Sequence, residues 1–216
     1  MIGLIFDLDG TLLNTLEDLT DATNYALNQF GCPGRTLEEI RRVVGNGARN
    51  QICKSLPGNA DDPDPDRVLA VYKEYYNAHC QIKTRPYDGV LEALAELARE
   101  YPVAIVSNKP DTAVKPLCAT HFPGVYALGE IPDCPRKPAP DMVHKAMKDL
   151  NVDGCIYIGD SEVDITTAKN AGVPCLSVLW CFRDRDVLEA AGGTVFCEDP
   201  KDMPALIRDM EATYGK

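Results

Sequence analysis

The sequence lacks the segments that mark a membrane or secreted protein. Its apolar run CLSVLWCF (175–182) is far too short to cross a bilayer, and no stretch has the composition of a signal peptide. The nine cysteines are scattered without a CxxC pair, which argues against a disulfide framework and against a zinc site. We therefore expect a cytoplasmic protein whose thiols are reduced.

Basic residues are also scarce. The 216 residues include 22 Lys and Arg against 33 Asp and Glu, so the formal net charge is -11. This excess of negative charge argues against a general affinity for nucleic acid or for an anionic membrane. An anionic substrate would need locally placed cations or a metal ion. The composition itself, 45% hydrophobic and 25% charged, is typical of a globular protein with a substantial core.

Short apolar runs alternate with helical patterns along most of the chain, which predicts an α/β fold with a parallel sheet. The predicted strands are 2–6, 103–107, 125–129, 155–159, 175–179 and 194–196. The predicted helices of this part are 88–100, 111–120, 140–150, 162–171, 184–191 and 203–213.

The first strand is followed by a different kind of segment. From Thr15 to about Lys83 the periodicity is helical and no strand is evident. We therefore predict two domains: an α/β core formed by residues 1–13 and 85–216, and a small α-helical cap domain formed by residues 14–84. We call residues 14–84 the helical insert. Hinges are expected at its two ends, residues 13–15 and 84–87.

Two helices of the insert begin with a capping-box pattern. Thr15 is followed three residues later by Asp18, and Thr36 is followed three residues later by Glu39. In such a box the two side chains satisfy free backbone N–H groups of the first helical turn. We expect a helix to begin at each of these two threonines.

Polar side chains stand where several of the predicted strands end. Asp7 and Asp9 follow the first strand, Ser107 and Asn108 end the second, and Asp160 follows the strand 155–159. In an open parallel sheet, ligands bind at the carboxyl ends of the strands, near the point where the strand order reverses. These side chains are therefore expected on one rim of the sheet.

The carboxylates of this rim need a counter-charge. Asp7, Asp9 and Asp160 would not all be ionised close together unless a divalent cation joined them. An incomplete set of hard oxygen ligands suits Mg²⁺, which keeps water molecules and binds phosphate oxygens. Asp164 follows Asp160 by four residues on a starting helix and points back to the same place. Lys137, in a loop after the next strand, adds a positive charge.

This set of groups is suited to phosphoryl transfer. Such a reaction depends mainly on positioning and on charge neutralisation. Asp7 is a workable nucleophile because water can reopen its acyl phosphate, and Asp9, on the same side of the extended chain, can serve as acid and base. The Ser107 hydroxyl and nearby backbone N–H groups can hold phosphate oxygens.

Four motifs, in this order and spacing, resemble those of the haloacid dehalogenase-like hydrolase superfamily. They are DLDGTL (7–12), VSNK (106–109), KPAPD (137–141) and GDSEVD (159–164). The resemblance covers nearly the whole chain. It implies a Rossmann-like core, and it makes the helical insert similar to the C1-type cap of this superfamily.

The resemblance also implies a role for each motif residue. Asp7 would be the nucleophile and Asp9 the general acid and base. Mg²⁺ would be held by Asp7, Asp160 and the backbone carbonyl of Asp9, with Asp164 either beside these ligands or among them. The residues implied to hold the phosphoryl group or the substrate are Thr11, Ser107, Asn108, Lys109 and the catalytic Lys137.

The insert contains one further candidate segment, VVGNGARN (43–50). Gly45 and Gly47 precede a helix, where free N–H groups and Arg49 could meet the anionic tail of a substrate. The segment is similar to a glycine-rich cap segment of phosphoglycolate phosphatases. The alternative is an ordinary helix–helix turn with a solvated arginine. Lys109 likewise has two interpretations, a substrate contact or a solvent-facing neighbour.

The residues favour phosphate ester hydrolysis within this superfamily. Dehalogenases carry an aromatic residue at the position of Asp9, and phosphonatases lack the carboxylate there. We expect a Mg²⁺-dependent phosphatase whose partner is a small phosphorylated metabolite, phosphoglycolate being favoured, with no nucleic acid and no membrane. A β-phosphoglucomutase-like phosphomutase and a non-catalytic binding protein on the same fold are the alternatives. The oligomeric state stays open.

Overall fold

The computed structural model describes residues 1–214 and has an α/β fold. Its strands are β1 (Ile2–Phe6), β2 (Leu13–Asn14), β3 (Arg85–Pro86), β4 (Val103–Pro110), β5 (Tyr126–Glu130), β6 (Gly154–Gly159), β7 (Cys175–Val178) and β8 (Val195–Cys197). Six of them form one parallel sheet in the order β5-β4-β1-β6-β7-β8. The prediction of an α/β fold with a parallel sheet is confirmed, and β4 is longer than the sequence pattern indicated.

The helices fall into two groups. Those of the sheet region are α5 (Val90–Leu97), α6 (Asp111–His121), α7 (Asp141–Leu150), α8 (Glu162–Ala171), α9 (Arg185–Ala190) and α10 (Met203–Tyr214). Those of the helical insert are α1 (Leu16–Gln29), α2 (Leu37–Val43), α3 (Gly47–Ser55) and α4 (Pro65–His79). Among residues 1–214, no helix combines the length and the apolar character needed to span a membrane.

Strand β1 lies at the centre of the sheet and is covered on both faces. Successive side chains of a strand point to opposite faces. Leu4 and Phe6 accordingly pack in the larger hydrophobic cluster, which also includes side chains of the helical insert, while Ile5 packs in a second cluster with Ala104 and Val106 of β4. Burial on both faces explains why β1 reads as a continuous apolar run.

The helical insert is joined to the sheet region by a short two-stranded ribbon. Leu13 pairs with Pro86 and Asn14 pairs with Arg85, in antiparallel orientation. The sequence pattern predicted hinges at these positions and no strand. The ribbon brings the two ends of the insert side by side. The division of the chain into two domains at residues 14–84 stays a prediction.

One of the two predicted capping boxes is present. Thr36 and Glu39 exchange both hydrogen bonds of the box at the start of α2. The predicted helix start at Thr15 is confirmed, since Thr15 directly precedes α1, but the capping box with Asp18 is absent, because the Thr15 side chain makes no capping hydrogen bond. Its hydroxyl donates instead to Oδ1 of Asp9, at 2.7 Å. The Thr15 hydroxyl therefore bonds to a carboxylate outside the helix and not to the backbone of α1.

Asp18 also has a partner outside its helix. Its buried carboxylate accepts hydrogen bonds from the backbone N–H groups of Lys83 and Thr84, at 2.9 to 3.0 Å, and from the Thr84 hydroxyl at 2.8 Å. These bonds hold the point where the chain leaves the insert. All nine cysteines are free thiols, as the sequence indicated.

Candidate active site

The register of the sheet brings three strand ends to one rim. Phe6 of β1 lies opposite both Ile105 of β4 and Ile158 of β6. Asp7 therefore follows β1 one position short of the level of Ser107 in β4 and of Asp160 after β6. Because β1 is the first strand and its two neighbours come later in the chain, this rim is the point where the strand order reverses.

Lys137 lies at the centre of a buried network on this rim. Its Nζ is 2.8 Å from Oδ1 of Asp7 and 2.8 Å from Oδ1 of Asp164, and it donates to the Tyr157 hydroxyl at 2.9 Å. The Tyr157 hydroxyl in turn donates to Oδ1 of Asp164. Only 1% of Lys137 is exposed, so one fixed ammonium serves two carboxylates in a site without bulk water.

Burial shifts the proton affinities of these groups. Burial opposes the charged form of Lys137, but the carboxylates of Asp164 and Asp7 outweigh it and raise the pKa of the lysine. Burial raises the pKa of Asp7 to about 7 in spite of the adjacent Lys137. Burial, together with Asp164 and Asp7, raises the pKa of Asp160 well above its usual value. One ammonium is too little positive charge for three buried carboxylates.

The oxygen atoms of this cluster fit a magnesium ion. Asp7, Asp160 and Asp164 each offer a carboxylate oxygen within 4.8 Å of the others, and all three are buried. Hard oxygen donors with uncompensated negative charge form the kind of site that Mg²⁺ occupies. A divalent cation at this position would also oppose the effects that raise the pKa values of Asp7 and Asp160, which are burial first and repulsion from the neighbouring carboxylates second.

Asp164 differs from the other two carboxylates in its existing partners. Its Oδ1 accepts from Lys137 and Tyr157, and its Oδ2 accepts from the backbone N–H and the hydroxyl of Ser161. These last two bonds belong to the capping box that starts α8. With both oxygens occupied, Asp164 is better placed to hold Lys137 and the helix start than to bind a metal directly.

Gly10 is required by the close approach of two other segments. Its φ is +90°, and a Cβ at this position would overlap the Asp160 carboxylate and the Phe182 ring. A residue with a side chain would therefore be strained in its backbone and would collide with a candidate metal ligand. The glycine lets the turn after Asp9 pass directly over Asp160.

Asp9 has a carboxylate that two other residues orient. Its Oδ1 accepts the hydrogen bond from the Thr15 hydroxyl and lies 2.9 Å from Nζ of Lys109. Neither bond involves Oδ2. The side chain of Asp9 is 12% exposed, against 4% for Lys109. Asp9 is thus held from one side, and it can offer its second oxygen to a bound molecule.

A cavity between the sheet rim and the helical insert adjoins these carboxylates. Including its open mouth it has about 540 Å³ of empty space. The rim contributes Asp7, Asp9, Ser107, Asn108, Lys109 and Pro110 to its walls. The insert contributes Leu19, Val44, Gly45, Gly47, Ala48, Gln51, Tyr72, Lys73, Tyr76 and Asn77. The cavity therefore has a polar floor and a mostly apolar roof.

Most of the chain matches a known protein family. The sequence profile of the family described as "Haloacid dehalogenase-like hydrolase" matches residues 4–178, well over half of the chain. The chain belongs to this family. The four motifs of the sequence all lie within the matched range.

Relatives within the haloacid dehalogenase-like hydrolases cover most of the chain. The phosphoglycolate phosphatase of Mesorhizobium japonicum is 33% identical over 197 residues, which are 86% of this chain and 86% of that protein. The N-acetylmuramic acid 6-phosphate phosphatase of Pseudomonas aeruginosa is 27% identical over 93% of this chain and 92% of that protein. These two relatives are named for different substrates.

A solved structure is similar over the full length. It comes from Lactobacillus delbrueckii subsp. bulgaricus and is provisionally named a phosphoglycolate phosphatase. Its TM-score against this chain is 0.87 with 37% sequence identity, covering 99% of this chain and 98% of that one. The arrangement of sheet and helical insert is therefore shared with that protein.

Most of the residues that the family resemblance singled out do come together. Ser107, Asn108 and Lys109 line the cavity beside Asp7 and Asp9. Nδ2 of Asn108 donates to the Lys137 carbonyl at 2.9 Å, whereas its Oδ1 is buried and has no hydrogen-bond partner within residues 1–214. A free buried acceptor of this kind is available to a bound molecule or to water.

Thr11 and Lys109 have more specific surroundings than the sequence indicated. The Thr11 hydroxyl, which is buried, points to Oδ1 of Asp160 at 3.4 Å and does not line the cavity. Nζ of Lys109 donates to the hydroxyl of Tyr76, on α4 of the insert, at 2.6 Å. Lys109 is therefore a buried contact between the rim and the insert, not a solvent-facing neighbour.

The glycine-rich segment of the insert is only partly at the site. Gly45 and Gly47 line the cavity, and Gly47 has a φ of +77° and lies under the Arg136 side chain. Arg49 is not brought to the cavity. Its guanidinium lies on the outer surface of the insert, where it pairs with Asp66 at 2.8 Å and is 57% exposed.

Several residues of the site belong to no recognisable sequence motif. Tyr157 stands in an apolar strand and reads as a core residue. Tyr72, Tyr76 and Gln51 stand on helices of the insert, where aromatic residues at helical spacing are typical of packing. No local signal separates these residues from ordinary core positions, because their role depends on contacts with distant segments.

Proposed function

We propose that the chain is a Mg²⁺-dependent phosphatase that hydrolyses a small phosphate monoester, with 2-phosphoglycolate as the favoured substrate. The observation that carries this proposal is the placement of Asp7. This carboxylate lies at the floor of the cavity, paired with buried Lys137, and Asp9 is two residues away with a second carboxylate facing the same space. One carboxylate can attack while the other handles protons.

In the first step, Asp7 attacks the phosphorus atom of the bound ester. A bond forms between a carboxylate oxygen of Asp7 and phosphorus, and the bond between phosphorus and the alcohol oxygen breaks. Asp9, protonated at this stage, gives its proton to the departing oxygen. The products of this step are a free alcohol, an aspartyl phosphate on Asp7 and an ionised Asp9.

In the second step, water opens the aspartyl phosphate. Asp9 takes a proton from the water as the water oxygen attacks phosphorus, and the bond to Asp7 breaks. Inorganic phosphate leaves, Asp7 is again a carboxylate and Asp9 is again protonated. The hydrogen bond from Thr15 and the contact with Nζ of Lys109, both made by Oδ1, hold Asp9 in place for both proton transfers.

Residues of the rim and the metal ion would neutralise the negative charge of the phosphoryl group. Asp7, Asp160 and the backbone carbonyl of Asp9 would hold Mg²⁺, which supplies positive charge against the phosphoryl oxygens. Lys137 adds a second positive charge, and the Ser107 hydroxyl is placed to donate to a phosphate oxygen. Asp164 keeps Lys137 in position through its 2.8 Å contact.

The preference for phosphoglycolate rests on the relatives and on the cavity. A relative 33% identical to this chain is named phosphoglycolate phosphatase, and so is the protein that shares its fold at a TM-score of 0.87, though provisionally. Lys109, close to Asp9, offers a cation that a carboxylate next to the phosphate group could meet. The relative named for N-acetylmuramic acid 6-phosphate is a reason to test larger esters as well.

The test is phosphate release from a panel of esters with and without Mg²⁺. The panel contains 2-phosphoglycolate, N-acetylmuramic acid 6-phosphate, and several sugar and nucleotide monophosphates. We expect the highest kcat/KM on 2-phosphoglycolate, loss of release on removal of Mg²⁺, and loss in Asp7→Asn. Asp209→Asn, an exposed carboxylate on α10, is the matched control and should keep full activity.

The outcomes separate the parts of the proposal. Release from many esters at similar rates would support the chemistry and contradict the substrate preference. Interconversion of sugar phosphates primed by a bisphosphate, with slow net hydrolysis, would support a phosphomutase. Release that persists in Asp7→Asn would contradict the nucleophile.

A further inference from the structure

A loop of the sheet region contacts both the candidate metal ligands and the helical insert. It comprises residues 179–184, between β7 and α9, and we call it the latch loop. Its sequence, LWCFRD, contains no motif of the family. Its contacts nevertheless connect the sheet region with the helical insert.

Arg183 of the latch loop reaches the insert. Its Nη1 donates to the carbonyl of Arg41 at 3.0 Å, and its Nη2 donates to the carbonyl of Val44 at 3.1 Å. Both carbonyls lie at the end of α2, where helical carbonyls have no partner within the helix. Glu162 fixes the guanidinium through two contacts, at 2.7 and 3.3 Å. The Arg183 side chain is 11% exposed.

Arg41 of the insert makes the reciprocal contact. Its Nε and Nη2 donate to the carbonyl of Cys181 in the latch loop, at 3.2 and 2.9 Å, and its Nη2 also pairs with Asp184 at 3.0 Å. Each of the two arginines therefore holds backbone carbonyls of the other's segment. Planar, multidentate contacts of this kind define an orientation better than a single hydrogen bond does.

The inner side of the same loop touches the catalytic motifs. The indole N–H of Trp180 donates to the Thr11 carbonyl at 3.0 Å, and the backbone N–H of Phe182 donates to Oδ2 of Asp160 at 3.3 Å. The Phe182 ring packs where Gly10 lacks a side chain. The loop thus adjoins a candidate metal ligand on one side and the end of α2 on the other.

We propose that Arg41 and Arg183 form a latch that holds the helical insert over the cavity and, through the latch loop, keeps Asp160 in its working position. Neither guanidinium lines the cavity, so both arginines are positioning residues. Val44, whose carbonyl the latch holds, directly precedes Gly45 on the cavity wall. A latched insert excludes bulk water from Asp7 while the acyl phosphate forms.

The proposal concerns residues outside the cavity and holds whichever ester is the substrate. Its test compares Arg41→Ala, Arg183→Ala and the double variant with two controls. Arg42→Ala removes a neighbouring arginine of α2 that pairs only with Glu38 of its own helix, and Arg185→Ala removes a neighbour that pairs with Glu189 and Glu198. Thermal unfolding followed by circular dichroism identifies any variant that fails to fold.

The first readout needs no substrate. Trp180 is the only tryptophan of the chain, so its fluorescence reports on the latch loop alone. We expect Arg41→Ala, which is remote from Trp180 in sequence, to shift the emission maximum in the same direction as Arg183→Ala. Amide hydrogen exchange at residues 44–50 should become about 10-fold faster in both variants. The controls should match the unmodified protein in both measurements.

The second readout is kinetic, with p-nitrophenyl phosphate and 2-phosphoglycolate as probes. We expect kcat to fall about 10-fold in each latch variant while KM changes less than about threefold, because the groups that would hold the phosphate lie on the sheet rim. The double variant should lose little more than either single variant, since one broken side opens the latch.

Two results would overturn the proposal. One is fluorescence and exchange in Arg41→Ala and Arg183→Ala that equal those of Arg42→Ala. The other is a lower melting temperature with unchanged kcat, which would make the contacts purely structural. If the chain releases phosphate from neither probe, the fluorescence and exchange measurements still decide the latch, so its failure and that of the proposed phosphatase remain distinct.

Discussion

The sheet rim and the helical insert each bury aspartate carboxylates, but they treat them differently. Asp18 of the insert accepts hydrogen bonds from two backbone N–H groups and a hydroxyl, which satisfy it within the fold. On the rim, Asp7 and Asp164 share the single ammonium of Lys137, and the Asp160 carboxylate lies beside theirs. The same residue type is a structural anchor in one region and an unbalanced charge in the other.

The difference indicates which carboxylates stabilise the fold and which are available for binding and reaction. A buried carboxylate whose partners satisfy it stabilises the fold, whereas one held beside like charges costs stability and is ready to bind a cation or react. The insert contributes mostly apolar walls to the cavity, and its Tyr76 hydroxyl contacts Lys109.

The largest effect is expected at Asp9. Asp9→Asn should lower kcat/KM on 2-phosphoglycolate, which covers the steps up to release of the alcohol, by roughly 10²- to 10⁴-fold, because the departing alkoxide loses its proton donor. The loss should be much smaller on p-nitrophenyl phosphate, since nitrophenolate leaves without a proton. Steady-state kinetics on both esters measures the difference, with Asp209→Asn as the control. An equal loss on the two esters would rule out Asp9 as the acid.

Replacing an aspartate by asparagine should change the free energy of unfolding in opposite directions in the two regions. Without Mg²⁺, Asp160→Asn should raise the free energy of unfolding by about 1–3 kcal/mol, because the raised pKa of Asp160 means that its ionised form costs stability at pH 7. Asp18→Asn should lower it by about 1.5–3 kcal/mol, since backbone N–H groups would face an amide N–H₂. Urea unfolding at pH 7 with a chelator measures both.

Magnesium supplies the control for this pair. Only the unmodified site should gain stability as Mg²⁺ is added, so the advantage of Asp160→Asn should shrink with Mg²⁺ concentration while the deficit of Asp18→Asn stays constant. A loss of stability in both variants at every Mg²⁺ concentration would contradict the contrast between rim and insert.

A smaller effect is expected from the hydroxyl that the insert presents to Lys109. Tyr76→Phe removes an acceptor 2.6 Å from the ammonium and should lower kcat/KM by roughly 10-fold. Tyr25→Phe, an exposed tyrosine of the same insert that is 41% accessible, should change nothing. If the two variants have the same kcat/KM, the contact contributes only packing.

The smallest effect is expected at Arg49. Its guanidinium pairs with Asp66 on the outer surface of the insert, so Arg49→Ala should leave KM for 2-phosphoglycolate within about twofold and the melting temperature unchanged. An increase in KM well above that would support the sequence-based interpretation of Arg49 as a substrate contact. The measurement is a substrate titration beside Arg42→Ala.

Much of the site was predictable because it follows from strand ends. Asp7, Ser107 and Asp160 each come directly after or at the end of an apolar run, and parallel strands bring their carboxyl ends together without further information. The capping box at Thr36 was predictable for a similar reason, since its partner is three residues away. Patterns that depend on near neighbours are visible in the sequence.

The predictions that missed a contact involve partners that lie far away in the sequence. Thr15 does precede α1, but its hydroxyl donates to Asp9 instead of capping the helix, and Asp18 accepts from the backbone at Lys83 and Thr84. The glycine-rich turn of the insert lines the cavity, whereas the direction of the Arg49 side chain was not visible in the sequence. In each case the partner is decided by how the insert packs.

Periodicity and chain direction are local properties, and they predicted the six strands of the parallel sheet, the helices between them and the rim that carries Asp7, Asp9 and Asp160. The ribbon of β2 and β3 was not predicted, because it forms where two distant segments meet. The contacts of Tyr157 and Asp164 with Lys137, of Tyr76 with Lys109, and of Arg41 and Arg183 with each other's backbone likewise exist only in the packed molecule. The residues of the latch are about 140 positions apart, and their contact depends on how α2 packs against the loop after β7.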